Sequence, residues 1–282
     1  LSTNVYTSGD PRLGRRVEHD PRSLAYAHGV LPKAAIKSVD WTRRAPIFDQ
    51  GQVGSCTGNA AAGLVATDSA ARAGLTTVPI PGDPNLWPVD EELAVEVYKL
   101  ATTLDNITGA YPPDDTGSSG IGAAKALKKL GLATSYTHAF SIDALKSALQ
   151  TGPVMVGTVW LESMFDPTPA GNITVDRKSA VAGGHEYVLS AYDASARQFR
   201  IDNSWSESWA IRGSAWITEA DMQWLLSQQG DVTVPAWTTA PVPTPPPAPT
   251  PAPDPRLAEA AVAAQQVADL MRPWAPSKTT GA

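Results

Sequence analysis

Apolar residues recur along this chain in two different periods, and the change from one to the other divides it. From Cys56 to Ala73 alanine, leucine and valine crowd every side of the chain, which predicts a buried helix stopped by Gly74. Glu91 to Thr103 places Leu93, Val97 and Leu100 on one face of a second helix, and a third is expected to run to Leu130 before Gly131. Ile142 to Leu149 reads as a short helix broken by Gly152-Pro153. Beyond that break the period drops to two. Val154 to Trp160 is an apolar strand, and further strands are expected at Glu186 to Tyr192, Gln198 to Asp202 and Ser214 to Ile217. The alternation in Phe199-Arg200-Ile201-Asp202 fits an antiparallel, half-buried strand. The pattern predicts an α+β chain, with a helical half first and a β half after it.

Both flanks differ from this middle. Residues 1–38 carry mixed charge, turn formers and little periodicity, and read as an extension on the surface of a domain spanning 39–235. Packing and masking of a site are both open for that arm. Residues 236–255 form a proline-rich linker, and as polyproline II the run from Pro241 to Pro253 spans about 40 Å at roughly 3.1 Å per residue. The tail, 256–282, carries Leu257, Ala261, Ala264, Val267, Ala268 and Met271 as a modest helical stripe. A lone helix of that length is marginal in water, so it either frays or docks on a protein partner or a second copy.

Composition narrows the field. With 282 residues and 43% hydrophobic side chains, the chain can bury one large core or two modest ones. A net charge of −6 argues against a nucleic-acid partner, whose phosphates need a basic surface. No apolar run approaches the roughly 20 residues that cross a bilayer. The first residues lack the apolar core of a signal peptide, so a cytoplasmic or particle-associated setting is expected. The single cysteine excludes an intrachain disulfide.

That cysteine, Cys56, sits where the turn Asp49-Gln50-Gly51-Gln52-Val53-Gly54-Ser55 meets the alanine-rich helix. A helix N-terminus favours the thiolate, which suits a nucleophile. Downstream come Gly183-Gly184-His185-Glu186-Tyr187-Val188 and Asp202-Asn203-Ser204-Trp205, with His185 129 positions after Cys56 and Asn203 147. The ordered set of motifs resembles the papain-like cysteine peptidases, over roughly Val39 to Leu226. The spacings are close to the roughly 130–150 residues of that class.

The resemblance implies a two-lobe fold, a helical lobe with a central Cys-bearing helix against an antiparallel β lobe, with the active site in the cleft between them. It implies Cys56 as nucleophile, His185 as its proton partner, Asn203 as the group that fixes the imidazole tautomer, and Gln50 as the side-chain oxyanion donor. It also makes Gly117, Ser118, Gly184 and Trp205 candidates for binding a peptide substrate, with no cofactor and no metal. Trp205 is further expected to shield the His–Asn bond. Two features depart from the pattern. Val53 and Thr57 replace the usual cysteine and aromatic residue on either side of the nucleophile. Ser206 and Ala210 stand where glycines are common, and a glycine there serves a positive φ or a close approach. Asp114 and Asp115 read as loop solvation and helix capping. His19, His28 and His138 read as surface or structural. A cell-wall peptide hydrolase and a catalytically weak, tethered binding module are the competing functional readings.

Overall fold

The computed structural model describes residues 9–18 and 21–237. The linker from 238 onward and the tail helix of 256–282 lie outside the described residues, as does His19. In chain order the elements are β1 (Val39–Asp40), α1 (Cys56–Ala66), β2 (Thr77–Pro79), β3 (Leu86–Pro88), α2 (Glu91–Leu104), α3 (Gly120–Lys129), β4 (Ala133–His138), α4 (Ile142–Leu149), β5 (Val154–Leu161), β6 (Val181–Asp193), β7 (Gln198–Asp202), β8 (Ser214–Thr218), α5 (Glu219–Ser227) and β9 (Asp231–Trp237). The main sheet runs β4-β9-β5-β6-β7-β8 with β1 added beside β6, and its strand pairs are antiparallel. The expected α+β class holds.

Helix α1 stops at Ala66, earlier than Gly74. Thr67 turns extended, its hydroxyl donating back to the Gly63 carbonyl at 2.7 Å, and it bridges to Arg43. Alanine is therefore no guide to the helix end here. Every residue of α1 is buried. Gly58 permits this, because a Cβ there would come within 2.2 Å of the Ala94 carbonyl oxygen on α2. Side-chain oxygens cap the other helices: Asp90 accepts from the N–H groups of Glu92 and Leu93, Ser119 from Gly122, Ser141 from Ala144 and Thr218 from Asp221.

Two cores form on opposite sides of one strand pair. Leu64, Val65, Leu93, Val97 and Leu127 pack together in the helical lobe, joined by Met155 of β5 and Val188 of β6. Val154, Val156, Tyr187 and Leu189, their neighbours in sequence, belong to the second core with Leu145, Trp160, Phe199, Ile201, Ile217 and Leu225. Successive side chains of a strand point to opposite faces, so β5 and β6 serve both lobes at once. This explains the unbroken apolar run at Val154 to Trp160. Strand β9 carries Ala236 and Trp237, past the expected domain end at 235, and Trp237 lies under the Arg72 guanidinium at 4.0 Å.

Glu219, at the start of α5, ties three elements in the second lobe. Its carboxylate takes Lys146 Nζ at 3.1 Å, Arg197 Nη2 at 3.2 Å and the Tyr192 hydroxyl at 2.8 Å. Burial pushes its carboxyl up, but the Arg197, Tyr192 and Lys146 hydrogen bonds outweigh this and hold it down at about 2. The stabilisation is complete above the ordinary value of 4.5 and is lost as pH falls toward 2. Glu219→Gln should lower the melting temperature at pH 7 and flatten its dependence on pH across that acid window, which thermal denaturation at a series of pH values measures.

Candidate active site

The turn that delivers Cys56 is braced from the helical lobe. Asp115 accepts the Gly54 N–H at 2.8 Å and the Tyr98 hydroxyl hydrogen at 2.5 Å, while Tyr98 Oη accepts the Gly117 N–H at 2.9 Å. One carboxylate thus fixes the Cys-bearing turn and, through Tyr98, the opposite wall at Gly117-Ser118. Asp115 is exposed in its loop and also serves as a structural anchor, a role its sequence context did not signal. The Cys56 side chain is fully buried.

His185 enters from β6, opposite Thr158 of β5. Its Nε2 lies 2.7 Å from Asn203 Oδ1, which also accepts the Ser204 backbone N–H at 2.8 Å. An oxygen that accepts an N–H leaves Nε2 as the donor, so the bare nitrogen is Nδ1. Nδ1 has no hydrogen-bond partner, and no direct bond to the Cys56 sulfur is made. Trp205 lies against the imidazole at 4.8 Å between ring centroids and Trp160 meets it edge-on at 5.0 Å. His185 and Asn203 are buried beneath this aromatic cover.

Gln50 is locked from the same loop. Its Oε1 accepts the Ser204 hydroxyl at 2.6 Å and its backbone N–H reaches the Ser204 carbonyl at 3.0 Å. The amide Nε2 then donates to the Val53 carbonyl at 2.8 Å and to the carbonyl of Arg12 at 3.0 Å. Arg12 belongs to the N-terminal arm.

Residues 12–18 of that arm lie in the cleft rather than on the surface expected of the extension, whereas the described residues from 23 to 38 are mostly exposed. Gly14 and Arg15 form parallel bridges with Gly184 and Ser118. The Arg15 N–H donates to Gly184 O at 3.0 Å, the Arg16 N–H to Ser118 O at 2.7 Å, and the Ser118 N–H to Gly14 O at 3.0 Å. Contact this close requires glycine on both sides. A Cβ on Gly14 would stand 1.9 Å from the Gly54 carbonyl oxygen, one on Gly117 2.0 Å from the Gly14 oxygen, and one on Gly184 2.3 Å from the Arg15 oxygen. The Arg12 guanidinium, paired with Asp10, lies 4.4 Å over the Trp205 ring. Glu18 accepts from Asn106 Nδ2 and Ser119 Oγ, both at 2.5 Å. Leu13, Arg15 and Val17 are buried. Weak periodicity hid this segment, because its partners are backbone walls and charges rather than an apolar face.

The structure therefore gathers Cys56, His185, Asn203 and Gln50 around one seam and sets Gly117, Ser118, Gly184 and Trp205 along the path of the arm. His28 is half-buried near Thr137, and His138 is buried in β4 beside Thr233. Among the described residues no three His, Cys, Asp or Glu side chains form a metal-ligating group, and no helix is long and apolar enough to cross a membrane. Burial pushes the Cys56 thiol up to about 12, only partly offset by the Glu186 N–H. Burial also takes His185 down to about 4; the Asn203 bond opposes this and the Arg12 charge adds to it. With the arm in place the pair is neutral at pH 7, a thiol beside an imidazole.

The loop after Asn203 carries backbone strain. Ser206 has φ +65° and Ala210 φ +48°, the left-handed region where glycine is at ease. Ser206 offsets part of its cost, since its Oγ accepts the Ser208 N–H at 3.2 Å and pairs with Ser208 Oγ at 2.6 Å.

No protein-family model and no curated protein sequence matches the chain. Solved structures do. The fold is similar to xylellain, a cysteine protease from Xylella fastidiosa, at TM-score 0.60 and 18% identity over 84% of this chain and 100% of that one. It is also similar to proCathepsin B S9 from Trypanosoma congolense, at TM-score 0.56 and 10% identity over 83% and 92% of the two chains. A third likeness is to the digestive procathepsin L2 proteinase of Tenebrio molitor larval midgut, at TM-score 0.51 and 13% identity over 82% and 81%. The chain has the papain-like fold of the cysteine proteases.

Two measurements test these contacts. Gly14→Val should drive the arm off Gly54 and make Cys56 react with iodoacetamide at least tenfold faster at pH 7 than in the unaltered chain; an equal rate would show that the arm does not shield the sulfur. Ala210→Gly should raise stability by roughly 0.5 kcal/mol, because relief of about 1–2 kcal/mol of left-handed strain exceeds the entropy cost of about 0.5–1 kcal/mol. Ser206→Gly, which gives up local hydrogen bonds, should leave stability nearly unchanged in the same denaturant titration.

Proposed function

We propose that the protein is a cysteine endopeptidase held latent by its own N-terminal arm. One observation carries the reading: the cleft grips an extended peptide backbone on both walls, with a peptide carbonyl seated on the Gln50 amide beside the buried Cys56 and the His185–Asn203 pair. Once the arm leaves, water and substrate reach the seam, and the low-dielectric penalty on the thiolate and imidazolium falls. Cys56 then passes its proton to the bare Nδ1 of His185 and attacks a substrate carbonyl carbon. The developing oxyanion is met by Gln50 Nε2 and the Cys56 backbone N–H at the start of α1. Collapse of the tetrahedral intermediate, with His185 returning the proton to the departing amine, leaves a thioester that water hydrolyses with His185 as base. Asn203 holds Nε2–H throughout, so Nδ1 keeps facing the chemistry. No metal or organic cofactor has a part in these steps.

The likeness to cysteine proteases supports the class of reaction, and the arm supports a peptide as the substrate. The natural targets, and whether the tail recruits a protein partner or a second copy, belong to the same proposal. Digestion of a peptide library by the Gly14→Val chain, with and without Cys56→Ala, tests it. Cleavage should occur and vanish with Cys56→Ala; a folded Gly14→Val chain that cleaves nothing would favour an inactive, tethered module. Gln50→Ala should reduce kcat about 10²- to 10³-fold, the usual loss for one oxyanion donor.

A further inference from the structure

One buried ion pair lies beside the seam without belonging to the reacting set. Arg15 turns its side chain off the arm into a pocket between the lobes' walls, where it is fully buried. Its Nη2 donates to the Gln229 carbonyl at 2.7 Å and to a carboxylate oxygen of Asp231. Glu186, the residue after His185, faces the same pocket and is itself fully buried. Both Glu186 carboxylate oxygens, together with Arg15 Nε and Nη1, have no hydrogen-bond partner. Space for the guanidinium comes from two glycines. A Cβ on Gly157 of β5 would come within 2.6 Å of Arg15 Nε and 2.5 Å of Glu186 Oε2, and one on Gly120 of α3 within 2.9 Å of Glu186 Oε1.

Two acidic side chains face one cation in this pocket. Burial and the neighbouring Asp231 push the Glu186 carboxyl well up, while Arg15 pulls it down. Without the cation the mostly buried Asp231 carboxylate would lose its ion-pair partner, which is unfavourable. A planar guanidinium with several fixed donors can meet two carboxylates and a carbonyl at once, as an ammonium point charge does not. An aliphatic side chain would leave the Gln229 carbonyl and the Asp231 carboxylate unmatched. The Arg15 backbone meanwhile rests on Gly184 and Ser118, the walls along which the cleft holds a peptide.

The geometry points to Glu186 and Asp231 as a guanidinium subsite next to the reacting sulfur, which Arg15 fills in the latent chain and which, once the arm leaves, selects peptide substrates bearing arginine. As a substrate preference this rests on the peptidase reading; as a binding site it does not. The side chain concerned is adjacent in the arm to Gly14, which packs against Gly54 two residues before Cys56, so the preferred arginine falls within a residue or two of the bond cut. In the unaltered chain the same pocket is what anchors the arm.

The test uses the full chain carrying Arg15→Ala, which empties the pocket, and measures binding of N-acetyl-arginine methylamide and N-acetyl-norleucine methylamide by calorimetry. The arginine compound should bind at least tenfold more tightly, and adding Asp231→Asn or Glu186→Gln should remove the difference. Equal affinities, or no saturable binding of the arginine compound to the folded variant, would overturn the subsite. Should Arg15→Ala fail to fold, Arg15→Gln keeps polar length in the pocket and is read in the same way. Cleavage profiling of the variant then separates the two proposals. Selective arginine binding without any peptide cleavage removes the peptidase reading and keeps the subsite, whereas cleavage indifferent to arginine keeps the peptidase reading and removes the subsite.

Discussion

The strand pair β5–β6 is the constraint on which the rest of the molecule depends. Each strand sends alternate side chains into two separate cores, Met155 and Val188 into the helical lobe and Val154, Val156, Tyr187 and Leu189 into the β lobe. Neither lobe can shift against the other without disturbing close-packed residues on both faces of the same ribbon. Because His185 rides on β6 and Cys56 starts the helix packed against that sheet, their separation is fixed by packing rather than by any bond between them. The Asn203 loop hangs from β7, the next strand over, and Gln50 is clamped to Ser204. The site is thus assembled from four stretches of chain held by one sheet.

Electrostatics then decides the state in which this assembly rests. A dry seam favours neutral forms, and the arm dries it by laying backbone on backbone wherever glycine leaves room. Gly14 against Gly54, and the arm's carbonyls over Gly117 and Gly184, allow an approach that a single methyl group would forbid. Desolvation therefore acts on Cys56 and His185 in the same direction, raising one and lowering the other, so that the pair holds no charge while covered. The two arginines of the arm behave differently. Arg12 stays half exposed over the Trp205 ring, where its contribution is modest, whereas Arg15 is buried against the Asp231 carboxylate, which would otherwise lose its ion-pair partner.

Much of this was legible before any fold was known. Helix α4 and strand β7 fall where periodicity placed them, and α2, β5 and β8 differ by a residue or so at one end. Longer errors have physical causes. Helix α1 ends at Ala66 because Thr67 closes on Gly63, a local hydrogen bond that an alanine-rich run conceals. Strand β6 begins at Val181 rather than Glu186, and Gly183-Gly184, poor strand formers by type, concealed its start; Gly184 is where the Arg15 backbone makes its close approach. Strands β4 and β9, the β2–β3 hairpin and helix α5 left too little pattern to be assigned. The concern over Ser206 and Ala210 has a geometric basis in their positive φ angles.

Residue order alone determined the chemistry on offer: one thiol at a helix start, one imidazole before an apolar strand, an amide after it, and a glutamine in the turn upstream. Those identities need no coordinates, since reactivity follows from side-chain type and local backbone. Tertiary structure decided what surrounds them, because burial, charge pairing and occupancy of the cleft depend on segments far apart in the chain. Arg15, Glu186 and Asp231 share no motif, yet they meet in one pocket, the first two fully buried and Asp231 mostly so. Only folding could bring that cation and those acids together, and only folding could turn an unpatterned N-terminal arm into the cover of the site.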